Sequence, residues 1–209
     1  GFDVDLGNAI CAKLKAKCIW VENSFDGMIP ALKAKKFDGI LSSMTVTDER
    51  AKQIAFSSKI YNTPTRMVAK KGSPLLPTAA SLKGKRVGVQ QGTIQETYAK
   101  TYWAPKGVTV VPYPVQDLIY QDMMSGRLDA TLQDAIMVDG AFLKQPKGKN
   151  FSFAGGNVVD AKTLGVGAAI GLRKEDADLK ANINKALAAI IADGTYKKLE
   201  KKYFSFSIY

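Results

Sequence analysis

Residues 85–102 read KRVGVQQGTIQETYAKTY, and this stretch decides the fold class. It predicts an apolar strand over 85–90, a break at Gly92 and a helix that begins at Thr93. The same succession continues, with strands predicted at 108–113 and 128–133 and helices at 116–125 and 136–143. Strands that alternate with helices are typical of an α/β domain with parallel strands.

The flanking parts of the chain follow the same pattern. We predict helices at 4–16 (with Asp3 as N-cap), 25–36 and 195–202, and strands at 18–21, 37–43, 151–154 and 165–172. A further long helix, capped by Asp176 and interrupted by Gly194, is marked by Leu179, Ile183, Leu187 and Ile190. The sequence KFDGILSS at 36–43 also resembles RLDATLQD at 127–134. Two lobes built on one plan would explain this faint repeat, and chance alone produces such matches fairly often.

Composition excludes several classes of function. The 209 residues include no His, which excludes Ser-His-Asp and Cys-His catalysis, and two Cys are too few for an all-cysteine zinc site. No run approaches the ~20 apolar residues of a membrane span. The net charge of +11 permits an acidic partner such as nucleic acid. Because the basic residues are spread along the whole chain, we favour a solvated surface and expect no nucleic acid partner.

Cys11 and Cys18 are the only cysteines, and two interpretations of them are open. If they are oxidised, they close a short loop that stabilises the fold by roughly 2–3 kcal/mol in the chain-entropy model. Such a bridge indicates a periplasmic or extracellular location. The alternative is a pair of reduced, buried thiols.

The segment Ser42–Arg50 is the first candidate for a ligand contact. Ser42, Ser43 and Thr45 follow a predicted buried strand, and Arg50 comes one helical turn after them. Hydroxyls, backbone N–H groups and a guanidinium fork together suit a carboxylate. The alternative is an arginine that pairs at the surface with Asp48 or Glu49.

The second candidate is the turn from Gln90 to Gln95, where a helix N-terminus at Thr93 offers unpaired N–H groups to an anion. The alternative is a simple turn with a threonine N-cap. Asp134, at the end of a strand, suits an ammonium group, or caps the following helix. Phe25 offers a flat face to a ligand side chain, or packs in the core.

Taken together, these groups predict a site for an amino acid. No nucleophile lies beside a base, and no cluster of carboxylates suggests metal or glycoside chemistry. We therefore expect binding rather than catalysis, with no cofactor and no metal.

Four stretches carry a resemblance to a known family: GFDVDL at 1–6, SSMTVTDER at 42–50, GVQQGT at 88–93 and GTY at 194–196. They resemble the periplasmic polar amino-acid-binding proteins of ABC importers (solute-binding protein family 3), in particular the lysine/arginine/ornithine- and histidine-binding branch. The resemblance covers all 209 residues. It implies a periplasmic receptor for a basic L-amino acid (arginine, lysine, ornithine or histidine) that delivers its ligand to a membrane permease.

The resemblance also implies a fold, the two-lobed type II periplasmic binding protein (Venus-flytrap) fold. Lobe 1 would comprise 1–61 and 167–209, lobe 2 would comprise 65–160, and the hinge crossovers would fall near 62–64 and 161–166. By comparison with the family, we expect that residues 1–209 contain neither a signal peptide nor the N-terminal strand segment, as in a mature, trimmed or truncated chain. We therefore expect weakened binding, and a monomer unless two chains pair to cover the exposed edge.

By resemblance, each candidate residue has a role. Arg50 would fork onto the ligand α-carboxylate with help from the N–H groups of Thr45 and Thr93, and Asp134 would hold the α-ammonium. Phe25 would pack on the ligand side chain, with Ser42, Ser43 and Gln95 lining the pocket. Gln90 stands where relatives often have Leu. Cys11 and Cys18 match a disulfide of this branch.

Two alternatives remain on the same fold. One is an enzyme of the cyclohexadienyl or arogenate dehydratase kind, which needs a positioned general acid. Glu96 is the nearby candidate for that role. The other is the sensor domain of a larger receptor.

Overall fold

The computed structural model describes residues 1–62, 64–165, 167–204 and 207–209. The α-helices are α1 (Phe2–Lys13), α2 (Met28–Lys33), α3 (Asp48–Gln53), α4 (Ala79–Leu82), α5 (Ile94–Tyr102), α6 (Gln116–Met124), α7 (Ala135–Val138), α8 (Ala177–Ala192) and α9 (Thr195–Tyr203). The strands are β1 (Ala55–Tyr61), β2 (Thr65–Lys70), β3 (Arg86–Gln90), β4 (Thr109–Tyr113), β5 (Ala130–Asp134), β6 (Phe151–Val158) and β7 (Ala168–Leu172). A 3-10 turn at Phe25–Gly27 precedes α2, and a π turn at Asp139–Leu143 follows α7. No described helix has the length and apolar character needed to cross a bilayer.

Contacts within the chain define two compact units. Unit 1 comprises Gly1–Asn23, Gly27–Asn62 and Val166–Tyr209, and unit 2 comprises Ser24–Asp26 and Thr63–Gly165. Of the predicted crossovers near 62–64 and 161–166, Thr63 and Val166 lie outside the described residues.

Unit 2 is built on a five-stranded sheet in the order β4-β3-β5-β2-β6. The strands β4, β3 and β5 are parallel, and β2 pairs antiparallel with both β5 and β6. Successive side chains of a strand point to opposite faces of the sheet, so Met67 belongs to one apolar core and Val68 to the other. Because β3 and β5 run parallel, Gln90 and Asp134 end their strands at the same edge, where ligands of open α/β sheets bind.

Unit 1 differs from the sequence prediction. Among the described residues of this unit, the sheet consists of β1 and β7, which are antiparallel, so the predicted strands at 18–21 and 37–43 are wrong. An apolar run favours extended backbone, but a strand also requires a neighbour in hydrogen-bonding register. Residues 37–43 make a single isolated bridge, in which Ile40 and Gly171 exchange hydrogen bonds of 2.9 and 3.0 Å. The backbone then turns at Ser43, whose φ is +52°, and the extended run ends there.

The predicted strand at 18–21 lies along an apolar groove of about 830 Å³ within unit 1. The groove runs between α1, the extended segment 18–22, the segment 36–42 and α8. Ile19, Trp20 and Val21 are 84%, 46% and 54% exposed. Single exposed apolar residues are ordinary, whereas three in succession beside an apolar groove leave a hydrophobic surface open to solvent.

Two details of helix α1 bear on the predictions. The helix begins earlier than expected, with Gly1 as N-cap, so Asp3 lies in the first turn and is not the cap. The predicted disulfide is confirmed, because Cys11 and Cys18 are bonded with Cα atoms 5.9 Å apart. The bridge ties the end of α1 to the extended segment that follows it.

Candidate ligand-binding site

Arg50 is the charged centre of the candidate site in unit 1. It lies in α3, whose N-cap Thr47 accepts a hydrogen bond from the Arg50 N–H at 3.2 Å. Its side chain turns inward, is 9% exposed and donates from Nη1 to the Thr45 carbonyl at 2.9 Å. Burial lowers the pKa of Arg50 to about 10, so the guanidinium remains charged at neutral pH. The surface pairing with Asp48 or Glu49 considered above is therefore not what the structure shows, since Glu49 instead pairs with Lys52 at 3.6 Å.

Ser42, Ser43 and Thr45 lie on the segment that leads from the Ile40 bridge to α3. Thr45 forms an isolated bridge with Ala168 of β7 and is buried. The Ser43 hydroxyl lies 2.7 Å from the hydroxyl of Tyr61. The segment is thus fixed at three points, through Ile40, Ser43 and Thr45, before it reaches Arg50.

In unit 2, the turn after β3 carries Gln90 and Thr93. The Thr93 hydroxyl donates to the Gln90 carbonyl at 2.7 Å and accepts the Glu96 N–H at 3.1 Å, so Thr93 is the N-cap of α5. Glu96 reaches back to accept the N–H of Gly92, the residue before the N-cap, at 3.1 Å. The structure thus has the predicted helix N-terminus at this turn. It also shows Thr93 as the N-cap of that helix, which was the alternative interpretation.

Gly92 is required at this turn for two reasons. Its φ is +80°, and a Cβ atom at this position would lie 2.7 Å from the Cα atom of Asp26. We expect Gly92→Ala to lower the melting temperature and to weaken ligand binding severalfold, because the 24–26 segment, which includes Phe25, must shift.

Gly84→Ala is the matched control for this substitution. Gly84 has a φ of +75°, but nothing lies within 4 Å of the added Cβ atom. It therefore imposes the same backbone strain without displacing a neighbour. Differential scanning fluorimetry and titration calorimetry on both variants separate the two effects, and equal behaviour of the two would contradict this account of Gly92.

Thr65, a residue that the sequence analysis did not single out, contacts both Gln95 and Asp134. The Gln95 amide donates to the hydroxyl of Thr65 at 2.9 Å, and Thr65 lies opposite Asp134 in the β2–β5 pair. All three are buried. Asp134 caps α7, since its Oδ1 accepts the Met137 N–H at 3.0 Å. Pro64 signals that a strand can start at Thr65. Nothing in the sequence, however, indicates a contact between Thr65 and Gln95, which lies 30 residues away.

The remaining predicted residue, Phe25, opens the 3-10 turn and is half-buried. Its neighbour Asp26 packs on Gly92, which places Phe25 close in sequence to the contact with the β3–α5 turn. In the part of the chain that the structure describes, no three His, Cys, Asp or Glu side chains lie close enough together to hold a metal ion.

The buried guanidinium of Arg50 in unit 1 and, taken separately, the buried carboxylate of Asp134 in unit 2 are groups of the kind that solute-binding proteins use. The comparisons with known proteins give the family. The chain belongs to the bacterial extracellular solute-binding proteins, family 3, whose model matches residues 1–206.

Two relatives are similar over the whole chain and 80% of their own length. The lysine/arginine/ornithine-binding periplasmic protein of Escherichia coli (strain K12) is 55% identical, and the histidine-binding periplasmic protein of Salmonella typhimurium (strain LT2) is 52% identical. Among solved structures, an ancestral arginine-binding protein bound to arginine matches with a TM-score of 0.89 and 36% identity over 98% of this chain and 88% of that one. These similarities confirm the predicted family, fold class and periplasmic location.

Proposed function

We propose that this protein is a periplasmic receptor that binds a basic L-amino acid and delivers it to the permease of an ABC importer. The observation that carries the proposal is Arg50, a buried guanidinium on a segment rich in hydroxyls and backbone N–H groups. This arrangement suits the α-carboxylate of an amino acid. The names of the similar proteins, which bind arginine, lysine, ornithine or histidine, support the basic class.

The individual residues take the following roles in this proposal. Arg50 binds the α-carboxylate, assisted by Thr45 and Thr93, and Asp134 binds the α-ammonium. Phe25 packs against the ligand side chain. Ser42, Ser43, Gln90 and Gln95 line the pocket, and Gln90, a polar residue at the end of β3, contributes to selection among side chains.

A thermal-shift panel of the twenty amino acids plus ornithine tests this function. A ligand at 100 times its Kd adds about 2.7 kcal/mol to the free energy of unfolding. For a chain of this length, that raises Tm by roughly 5–10 °C. We expect such a shift with one or two basic amino acids. A flat panel together with a cooperative melt would contradict the proposal for the chain as it stands.

Two analogues of arginine add a test of the polar contacts. Agmatine lacks the α-carboxylate, and argininic acid has a hydroxyl in place of the α-ammonium. We expect both to bind much more weakly than L-arginine, because each lacks one of the two charged groups that Arg50 and Asp134 bind in this proposal. Equal shifts with all three compounds would show that the site recognises the guanidinium end alone.

We further propose that the protein has no dehydratase activity. Both carboxylate oxygens of Glu96, the candidate general acid, are engaged: Oε1 accepts the Gly92 N–H and Oε2 pairs with Lys100, each at 3.1 Å. Both oxygens of this carboxylate are thus used by groups in or directly before α5, and neither is offered to a substrate. Incubation with prephenate and with arogenate, followed by chromatography, tests this, and formation of the aromatic products would contradict it.

We also propose that the receptor acts as a monomer. The apolar groove beside Ile19 and Val21 is the surface on which pairing would occur, and the net charge of +11 opposes self-association. Size-exclusion chromatography with light scattering, at low and high salt, measures the oligomeric state. A dimer at both salt concentrations would overturn this proposal.

A further inference from the structure

We propose that Asp3 is a positioning residue for the ligand-binding segment Ser42–Thr45, on which it acts through Ser43 and Tyr61. The inference rests on the proposed function, because its consequence for binding requires that this segment contacts the ligand. Asp3 itself has no role in ligand contact in the account given above.

Three groups converge on the Asp3 carboxylate. The Tyr61 hydroxyl donates to Asp3 Oδ1 at 2.7 Å, and the same hydroxyl lies 2.7 Å from the hydroxyl of Ser43. Burial raises the pKa of Asp3, and hydrogen bonds from Tyr61 and from the backbone N–H and hydroxyl of Ser43 act in the opposite direction. In the geometry, the Asp3 carboxylate is linked to the Ser43 hydroxyl through the hydroxyl of Tyr61.

The conformation of Ser43 calls for such an anchor. Among the described residues other than glycine, Lys15, Lys35 and Ser43 have positive φ. Lys15 and Lys35 each follow the last residue of a helix by two positions, where the left-handed conformation is common. Ser43 follows no helix, and an L residue adopts this conformation only at a cost. The hydrogen-bonded chain from Ser43 through Tyr61 to Asp3 offsets that cost.

The turn at Ser43 determines where the chain goes next. The next residue, Met44, is buried. The carbonyl of Thr45, which follows it, accepts a hydrogen bond of 2.9 Å from the Arg50 guanidinium. If Ser43 relaxed to an ordinary negative φ, the path of Thr45 would change and the carbonyl that fixes Arg50 would move. Asp3 thus influences the carboxylate-binding group from the first turn of α1.

The anchor itself is rigid. Phe2, which precedes Asp3, packs its ring edge-on against Tyr61 and Tyr196, with ring centroids 5.7 and 6.0 Å apart. Tyr61 is fully buried, and the Tyr196 hydroxyl donates to the Ile60 carbonyl at 2.5 Å. The first turn of α1 and the end of β1 therefore form one packed body that can hold Ser43 in place.

Asp3→Asn is the variant that tests the proposal, with Asp5→Asn as its matched control. Asp5 lies on the same helix and also accepts a tyrosine hydroxyl, that of Tyr203 at 2.5 Å, but it does not contact Ser43. We expect Asp3→Asn to weaken L-arginine, L-lysine and L-ornithine alike by about tenfold, because the segment contacts the part that these ligands share. We expect Asp5→Asn to bind as the unchanged protein does. Titration calorimetry is done at a temperature where circular dichroism shows every variant folded.

A second measurement does not depend on the ligand. In the ligand-free protein, NMR hydrogen exchange of the Ser43 amide is expected to accelerate in Asp3→Asn and in Tyr61→Phe, and to stay unchanged in Asp5→Asn. Tyr61→Phe also serves if Asp3→Asn does not fold. Unchanged Ser43 exchange in both test variants would overturn the proposal. An unchanged affinity in both variants, with the unsubstituted protein binding normally, would overturn it as well. Absence of binding by the unsubstituted protein would instead count against the proposed function, and the exchange data would still decide the role of Asp3.

Discussion

Replacing Arg50 with alanine is expected to reduce the affinity for L-arginine by about 100-fold or more, since a charge-assisted pair with the ligand carboxylate is lost. The side chain is buried, and burial lowers its pKa to about 10. A cation that has been withdrawn from water in this way gains more from an incoming anion than an exposed one does. Titration calorimetry at neutral pH measures the loss.

Arg50→Lys refines the interpretation of that result. Lysine keeps the positive charge but lacks the planar fork that binds both carboxylate oxygens. We expect a loss of about tenfold, intermediate between alanine and the unsubstituted protein. If Arg50→Ala retained an affinity within about threefold of the unsubstituted protein, the assignment of this residue would be wrong.

Arg173→Ala is the control for a buried arginine with a structural role. Arg173 bonds to the Leu32 and Phe37 carbonyls, and its hydrogen bond with Asp38 is the main reason its pKa is raised. Its charge is already compensated within the protein, whereas burial dominates at Arg50. We expect Arg173→Ala to lower Tm and to leave the affinity of the folded protein nearly unchanged. An affinity loss equal to that of Arg50→Ala would show that the assay reports stability.

The elements that the sequence predicts well are those whose signals lie close together in the chain. In unit 2, strands 86–90 and 109–113 and the helix that begins at Ile94 lie within a residue or two of the predicted positions. The signals at the β3–α5 transition are local, since a glycine break and a threonine cap mark it. In unit 1, residues 18–21 and 37–43 carried the same apolar signal, and neither is a strand. Apolar runs indicate burial, but the partner in register depends on residues far along the chain.

The same distinction applies to the candidate site. One short segment contains Ser42, Thr45 and Arg50. Their close spacing therefore made them recognisable as a group in the sequence. The contacts of Asp3 and Thr65 were missed because their partners, Tyr61 and Gln95, are 58 and 30 residues away. Each of these two residues accepts a hydrogen bond from a side chain that is distant in sequence. Residues of that kind carry no signature in a single sequence.

Replacing Asp134 with asparagine is expected to reduce the affinity for L-arginine by roughly 10- to 100-fold while changing Tm little, because the two roles of this residue are separable. Its Oδ1 caps α7 by accepting the Met137 N–H, and an asparagine oxygen caps a helix about as well. The negative charge offered to an ammonium group is lost entirely. Calorimetry and thermal melts on the same samples measure both effects.

Asp129→Asn is the matched control, and argininic acid is the matched ligand. Asp129 lies just before β5, at the opposite end of that strand, where its Oδ2 accepts the Arg86 N–H at 2.8 Å. The two substitutions remove the same charge from one unit, so a general electrostatic effect would weaken binding equally in both. We expect Asp129→Asn to bind normally, and argininic acid to bind Asp134→Asn no worse than it binds the unsubstituted protein, since it has no ammonium to lose. A lowered Tm with unchanged affinity in Asp134→Asn would mean that this carboxylate is a helix cap alone, and the ammonium would then require another partner in the protein.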